Sequence, residues 1–117
     1  LTAQSLQHHH WVLEKIDGLP LLAERGTAPD LEIGEQLRAN GSAGCNRYVG
    51  QVELNSSQLR IKQMASTMMF CPAPQQDWER AMTSTLSDWS EVTLSEQQLL
   101  LKGQQHELLF KLQDWMH

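Results

Sequence analysis

The chain has 117 residues, 9 basic and 14 acidic side chains and a net charge of −5, which is the size of one domain. Its acidic balance and lack of a basic stripe exclude nucleic acid as a partner, because phosphate binding needs clustered Lys and Arg to release counterions. No apolar run approaches the roughly 18 to 20 residues of a helical membrane span, so no transmembrane segment is expected, and a hydrophobic content of 40% suits a packed core rather than disorder.

A single domain over 1–117, with its core at about 11–112, is the expected organisation. The chain opens at Leu1, and Leu1 to Gln7 lack the basic start and apolar stretch of a secretory signal, so an upstream segment is expected to have been removed. His8, His9 and His10 follow. In an extended segment His8 and His10 project to one side, where His106 can join them, which makes these three a candidate weak metal set. Adjacent histidines do not match structural zinc spacing, and no functional metal or cofactor is expected.

Trp11 to Ile16 is rich in strand formers and stops at Asp17-Gly18, a turn dipeptide. Leu19 to Leu22 can pair back, with Pro20 confining it to an edge, and Ala23 to Pro29 reads as loop. Asp30 to Ile33 and Gln36 to Ala39 read as a hairpin broken at Gly34-Glu35 with Leu31, Ile33 and Leu37 on its apolar side, after which Asn40-Gly41 should break the pattern. Gly41, Gly44 and Gly50 surround Cys45-Asn46-Arg47-Tyr48, which suggests unusual backbone angles or close approach of another segment.

Gln51 to Leu54 and Gln58 to Lys62 alternate around Asn55-Ser56-Ser57 as a second hairpin. Met64 to Phe70 reads as a strand or an irregular crossing, ended by Cys71-Pro72-Ala73-Pro74. A helix is predicted from about Gln75 to Trp89, where Trp78, Met82, Thr85, Leu86 and Trp89 recur at helical spacing. Glu91 to Leu94, Gln98 to Lys102 and His106 to Leu112 return to strand patterns. Seven or eight short strands with one helix point to a mainly β fold, a curled antiparallel sheet or small β-barrel with the helix packed on it.

Cys45 and Cys71 form an even count that can pair in an oxidising compartment or stay as reduced core thiols, and the residues alone leave both open. Cys45 beside Arg47 can also be read as an activated nucleophile, but neither a Cys-x-x-Cys motif nor a protease signature accompanies either thiol. Asn46 is expected to bond the backbone of its own loop. Asp77 and Glu79 suit the positive end of the helix. The tryptophans Trp11, Trp78, Trp89 and Trp115 are expected to supply core bulk, with Trp115 the most exposed, and the methionines Met64, Met68, Met69 and Met82 to act as adaptable packing.

Trp11-Val12-Leu13, then Gly44-Cys45-Asn46-Arg47-Tyr48 with Gly50, then Thr67 through Cys71-Pro72, then Glu79 in a helix carrying Leu86, then two Leu-rich strands: in this order the chain resembles the META domain family, within it the HslJ-like heat-shock group of Gram-negative bacteria. The likeness covers about Trp11 to Phe110. It marks Gly44, Cys45, Asn46, Arg47, Tyr48, Gly50, Thr67, Cys71 and Pro72 as motif residues. It implies a mostly antiparallel β fold with a helix, in envelope proteins that are often lipoproteins and have no agreed molecular activity.

The resemblance thus implies a periplasmic or outer-membrane location, an oxidant for Cys45 and Cys71, and a lipid anchor, if any, upstream of Leu1. Met68 stands where many relatives carry a basic residue. The expected function is that of a non-enzymatic, stress-associated envelope domain, monomeric, that binds another envelope protein through the Gly44 to Gly50 loop or the Met68 to Pro74 segment. The alternatives are a small hydrophobic ligand inside the barrel and, below that, a cysteine-dependent enzyme.

Overall fold

Alternation of inward apolar and outward polar side chains carries the chain through nine strands in the computed structural model, which describes residues 2–22 and 27–113. They are β1 (His9–Ile16), β2 (Leu19–Pro20), β3 (Asp30–Ile33), β4 (Arg38–Ser42), β5 (Arg47–Asn55), β6 (Gln58–Ser66), β7 (Ser90–Leu94), β8 (Gln98–Lys102) and β9 (Glu107–Leu112). Two helices join them, α1 (Ala3–Leu6) and α2 (Gln75–Leu86).

Every pairing is antiparallel, and β1 bonds to β3 on one side and to β9 on the other. Eight strands, β1-β3-β4-β5-β6-β7-β8-β9, therefore close into a barrel, with β2 as a two-residue extension beside the end of β1. Closure removes the sheet edges that an open meander would leave unpaired. Of the two forms expected from the sequence, a curled antiparallel sheet or a small barrel with a packed helix, the chain adopts the barrel.

An eight-stranded barrel leaves an interior that side chains just fill. Trp11 and Leu13 of β1, Leu31 and Ile33 of β3, Tyr48 and Val52 of β5, Leu59 and Ile61 of β6, Leu99 and Leu101 of β8, and Leu108 and Phe110 of β9 all point inward and are buried. Helix α2 lays Ala81, Met82 and Leu86 on this core, and its Trp78 is buried as well. At roughly 1.5 to 3 kcal/mol for each large apolar side chain removed from water, this burial is the main term that holds the fold together. Gly50 occupies an inward position between Tyr48 and Val52, where a Cβ would strike the Ile61 side chain.

The structure departs from the sequence reading in four places. Asn40-Gly41 does not break the chain, because β4 runs through it; Gly41 lies so close to the backbone carbonyl of Asp30 that a Cβ would overlap it. Gln36 and Leu37 are not in a strand but in a tight 3-10 turn with left-handed φ of 58° and 59°. Helix α2 stops at Leu86, three residues early, and Trp89 instead lies half-buried under the Arg60 guanidinium, 4.8 Å from the ring centre. The helix α1, started by a reciprocal Thr2–Ser5 capping box, was not anticipated. Met64 to Ser66 complete β6 beyond a bulge at Gln63, and Thr67 to Phe70 are irregular. Trp11 and Trp78 are core residues as expected, whereas Trp115 and residues 23–26 of the expected loop lie outside the described residues.

Candidate functional site

The turn from β4 to β5 is where the glycines and the first cysteine meet the rest of the molecule. Gly44 has a φ of +136°, and a Cβ there would come within 2.9 Å of the carbonyl oxygen of Gln75, the first residue of α2. Only glycine accepts both the angle and the approach. The turn closes with Ala43 N–H donating to the Asn46 carbonyl (2.9 Å) and Gly44 N–H to the Ser42 hydroxyl (3.2 Å).

Asn46 is 3% exposed and its side chain is fully used. Its Nδ2 donates to the Met69 carbonyl (3.0 Å) and towards Cys71 Sγ (3.3 Å). Its Oδ1 accepts from the Met69 N–H (2.7 Å) and the Thr67 hydroxyl (2.9 Å). The amide therefore bonds a segment more than twenty residues away, not its own loop as expected. Thr67 adds a second clasp: Arg47 N–H donates to its hydroxyl (3.1 Å), and Thr67 N–H donates to the Arg47 carbonyl (3.0 Å).

Beside this polar node Cys45 and Cys71 are joined in a disulfide with Cα atoms 6.0 Å apart, and no other cysteine is present. Pro72 follows, exposed, and its carbonyl accepts from Gln76 N–H (3.0 Å) to start α2. Between the Asn46 clasp and the disulfide, Met68, Met69 and Phe70 stand 91%, 60% and 88% exposed. They are neither core nor packing filler. Large apolar side chains this exposed, on a backbone pinned at both ends, form a displayed patch.

Tyr48 points the other way, into the barrel. Its hydroxyl donates to the Asp30 carbonyl (2.7 Å), and burial, reinforced by the nearby Asp30 charge, pushes the phenol well above its ordinary range. The Asp30 carboxylate accepts from Ser42 N–H (2.6 Å) through Oδ1 and meets His10 Nε2 (2.8 Å) through Oδ2. His10 Nδ1 must donate, because its partner at 2.8 Å is the Gln113 carbonyl. One carboxylate thus ties β1 and β4 to β3, and His10 extends the tie to the stretch after β9. Sequence reasoning missed this network, since Asp30, Ser42 and Gln113 carry no local signal linking them.

The candidate metal set is not assembled. His10 is buried on Asp30 and Gln113, His106 bonds Asp17 Oδ2 (2.8 Å) across the β1–β2 turn, and His8 is exposed. His8, His10 and His106 do not form a ligating cluster: His10 and His106 are each engaged by a different carboxylate, Asp30 and Asp17, and the cluster of ligating atoms found among the described residues is Cys45, Cys71 and Glu79.

On the outside of β4, β5 and β6 an open groove of about 760 Å³ runs past Arg38, Asn40, Arg47, Val49 and Gln63 to Thr67, where the displayed segment begins. Arg47 and Gly50, both motif residues, line it. The two-cysteine motif therefore builds one corner of the molecule: a buried amide, a covalent link, and an exposed apolar strip beside a groove.

The comparisons with known proteins agree with this architecture. The family model described as META domain matches residues 4–115. The chain is 33% identical to heat shock protein HslJ of Escherichia coli (strain K12) over 118 residues, covering all of this chain and 83% of that protein. It superposes on a protein structure determined by NMR with a TM-score of 0.86 at 33% identity, covering 100% of this chain and 99% of the other. An NMR structure from Burkholderia xenovorans gives 0.75 at 27% identity, over 95% and 86% of the two chains. With the motif residues in their structural places and the match running almost from end to end, the chain belongs to the META domain family.

Proposed function

We propose that this domain is a non-enzymatic, stress-associated binding module of the bacterial cell envelope, and that it engages another envelope protein through Met68, Met69 and Phe70. The observation that carries the reading is the combination of exposure with fixation. These side chains face solvent while Asn46 and the Cys45–Cys71 bond hold the backbone beneath them. Pre-fixing a loop removes most of the ordering cost of binding.

The disulfide supports a periplasmic or outer-membrane location, because such bonds persist in oxidising compartments. Similarity to a protein named for heat shock supports the link to stress. The domain would act as a monomer, with any lipid anchor attached upstream. Catalysis by cysteine is disfavoured because both sulfurs are consumed in the bond. A hydrophobic ligand inside the barrel would have to displace Trp11, Tyr48 and Phe110, which already occupy it.

Photo-crosslinkers placed at Phe70 and, as a control, at exposed Thr93 in heat-stressed cells test the reading. A species captured at 70, absent at 93 and reduced by Met68→Ser is the expected result. Identical capture at both positions would overturn it.

A further inference from the structure

Glu79 sits in the second turn of α2, half-buried, with its Oε1 3.8 Å from Cys71 Sγ. In the disulfide that sulfur carries no proton to donate, and the carboxylate has neither a cation nor a hydrogen-bond donor among the described residues. The half-buried carboxylate therefore faces the sulfurs on one side and solvent on the other. The ligating atoms of Cys45, Cys71 and Glu79 all lie within 4.8 Å of one another.

From this geometry we propose that the reduced form of the domain binds one thiophilic divalent cation of the zinc class through Cys45 Sγ, Cys71 Sγ and a Glu79 oxygen, with water in the fourth position. Tetrahedral zinc with bonds of about 2.3 Å to sulfur and about 2.0 Å to oxygen sets S···O edges near 3.5 Å and S···S edges near 3.8 Å. The Cys71–Glu79 separation is already close to such an edge. Cα atoms 6.0 Å apart let the two thiolates separate by side-chain rotation without moving the strands. Asn46 Nδ2, pointing at Cys71 Sγ, supplies the outer hydrogen bond that thiolate ligands require.

The chemistry balances in two steps. A dithiol reductant gives two electrons and two protons to the Cys45–Cys71 bond and becomes a disulfide itself. The cation then displaces the two thiol protons to solvent and takes the Glu79 carboxylate as its third anionic ligand. Covalent and metal-bound forms thus both tether Cys45 to Cys71, so the Met68–Phe70 strip stays anchored in either redox state.

The test uses the full chain, reduced with a phosphine and freed of excess reductant under argon, then titrated with Co²⁺ and back-titrated with Zn²⁺. A thiolate-to-cobalt absorption band saturating at one equivalent and quenched by zinc is expected, with no band from the oxidised protein. Glu79→Gln should keep the oxidised fold and weaken binding at least tenfold while retaining the thiolate band. Cys45→Ser/Cys71→Ser should abolish the band. If reduction alone unfolds the chain, one equivalent of Zn²⁺ should restore its circular dichroism. No saturable band, no recovery of fold by zinc, or equal affinity in Glu79→Gln would each overturn the proposal.

Discussion

Replacing both cysteines by alanine removes a cross-link that spans 26 residues of sequence. The loop-closure relation puts the stabilisation lost at about 3.5 kcal/mol. A 117-residue domain unfolds with an entropy of about 0.25 kcal/mol/K, so Cys45→Ala/Cys71→Ala should lower Tm by about 14 °C. Scanning calorimetry of the oxidised protein and the variant, both without reductant, reads this directly. Because Asn46 fastens the same Thr67–Cys71 segment, adding Asn46→Ala to the cysteine variant should cost measurably more or less than adding it to the parent, a coupling of at least about 0.5 kcal/mol. A cysteine variant melting within about 3 °C of the parent, or strict additivity in the cycle, would refute the reasoning that the bond and the amide act together as a structural staple.

Other expectations follow from single positions. Gly41→Ala should destabilise by about 3 kcal/mol or prevent folding, since the new methyl would overlap the Asp30 backbone, which cannot move without opening β3 from β4; urea titration checks it. Thr85 Oγ1 is buried without a hydrogen-bond partner among the described residues, so Thr85→Val should raise stability by about 1 kcal/mol in the same assay. The His106 hydrogen bond, then the Glu107 N–H, hold the Asp17 carboxyl below its ordinary value. Its contribution is therefore fully present above the unfolded-state pKa and is lost as pH falls through the lower folded value. Asp17 is nearly half exposed, so Asp17→Asn should cost under about 1 kcal/mol at pH 7, and melting curves from pH 7 to pH 2 should show that gap closing. A gap that stays constant with pH would contradict the assignment.

Much of the fold was legible because periodicity reports burial. The Val52-Leu54 and Leu59-Ile61 alternation gave one hairpin, and Trp78, Met82 and Leu86 gave the helix, since each pattern is set by one local wall of the core. Where the chain departed from expectation, a distant partner decided. Gly41 is tolerated in β4 because the Asp30 backbone presses on it, and Asn46 reaches across to Met69 because the disulfide brings that segment near. Neither neighbour lies within a sequence window.

The site was legible as a motif but not as geometry. Gly44, Cys45, Asn46, Thr67 and Cys71 could be singled out, yet their convergence depends on the barrel bringing β5 and the end of β6 together. Met68 and Met69 read as adaptable packing because large apolar side chains are usually buried, while Met68 to Pro74 also read as a candidate binding surface. The clasp on Asn46 turns the side chains of Met68 to Phe70 outward, and its partners lie more than twenty residues apart in sequence. The Glu79 carboxylate was accounted for by the helix dipole alone, which does not anticipate the sulfurs beside it.

The central claim is that Asn46 and the cysteine pair fix the displayed segment on the barrel. Amide exchange at Met69 tests it most directly, because that N–H donates to Asn46 Oδ1 at 2.7 Å although the side chain is solvent-facing. The account predicts a Met69 amide protected at least about a hundredfold in the parent protein, with that protection lost in Asn46→Ala while the Leu99, Leu101 and Phe110 amides stay protected. A Met69 amide exchanging at the rate of an open peptide in the parent would contradict it.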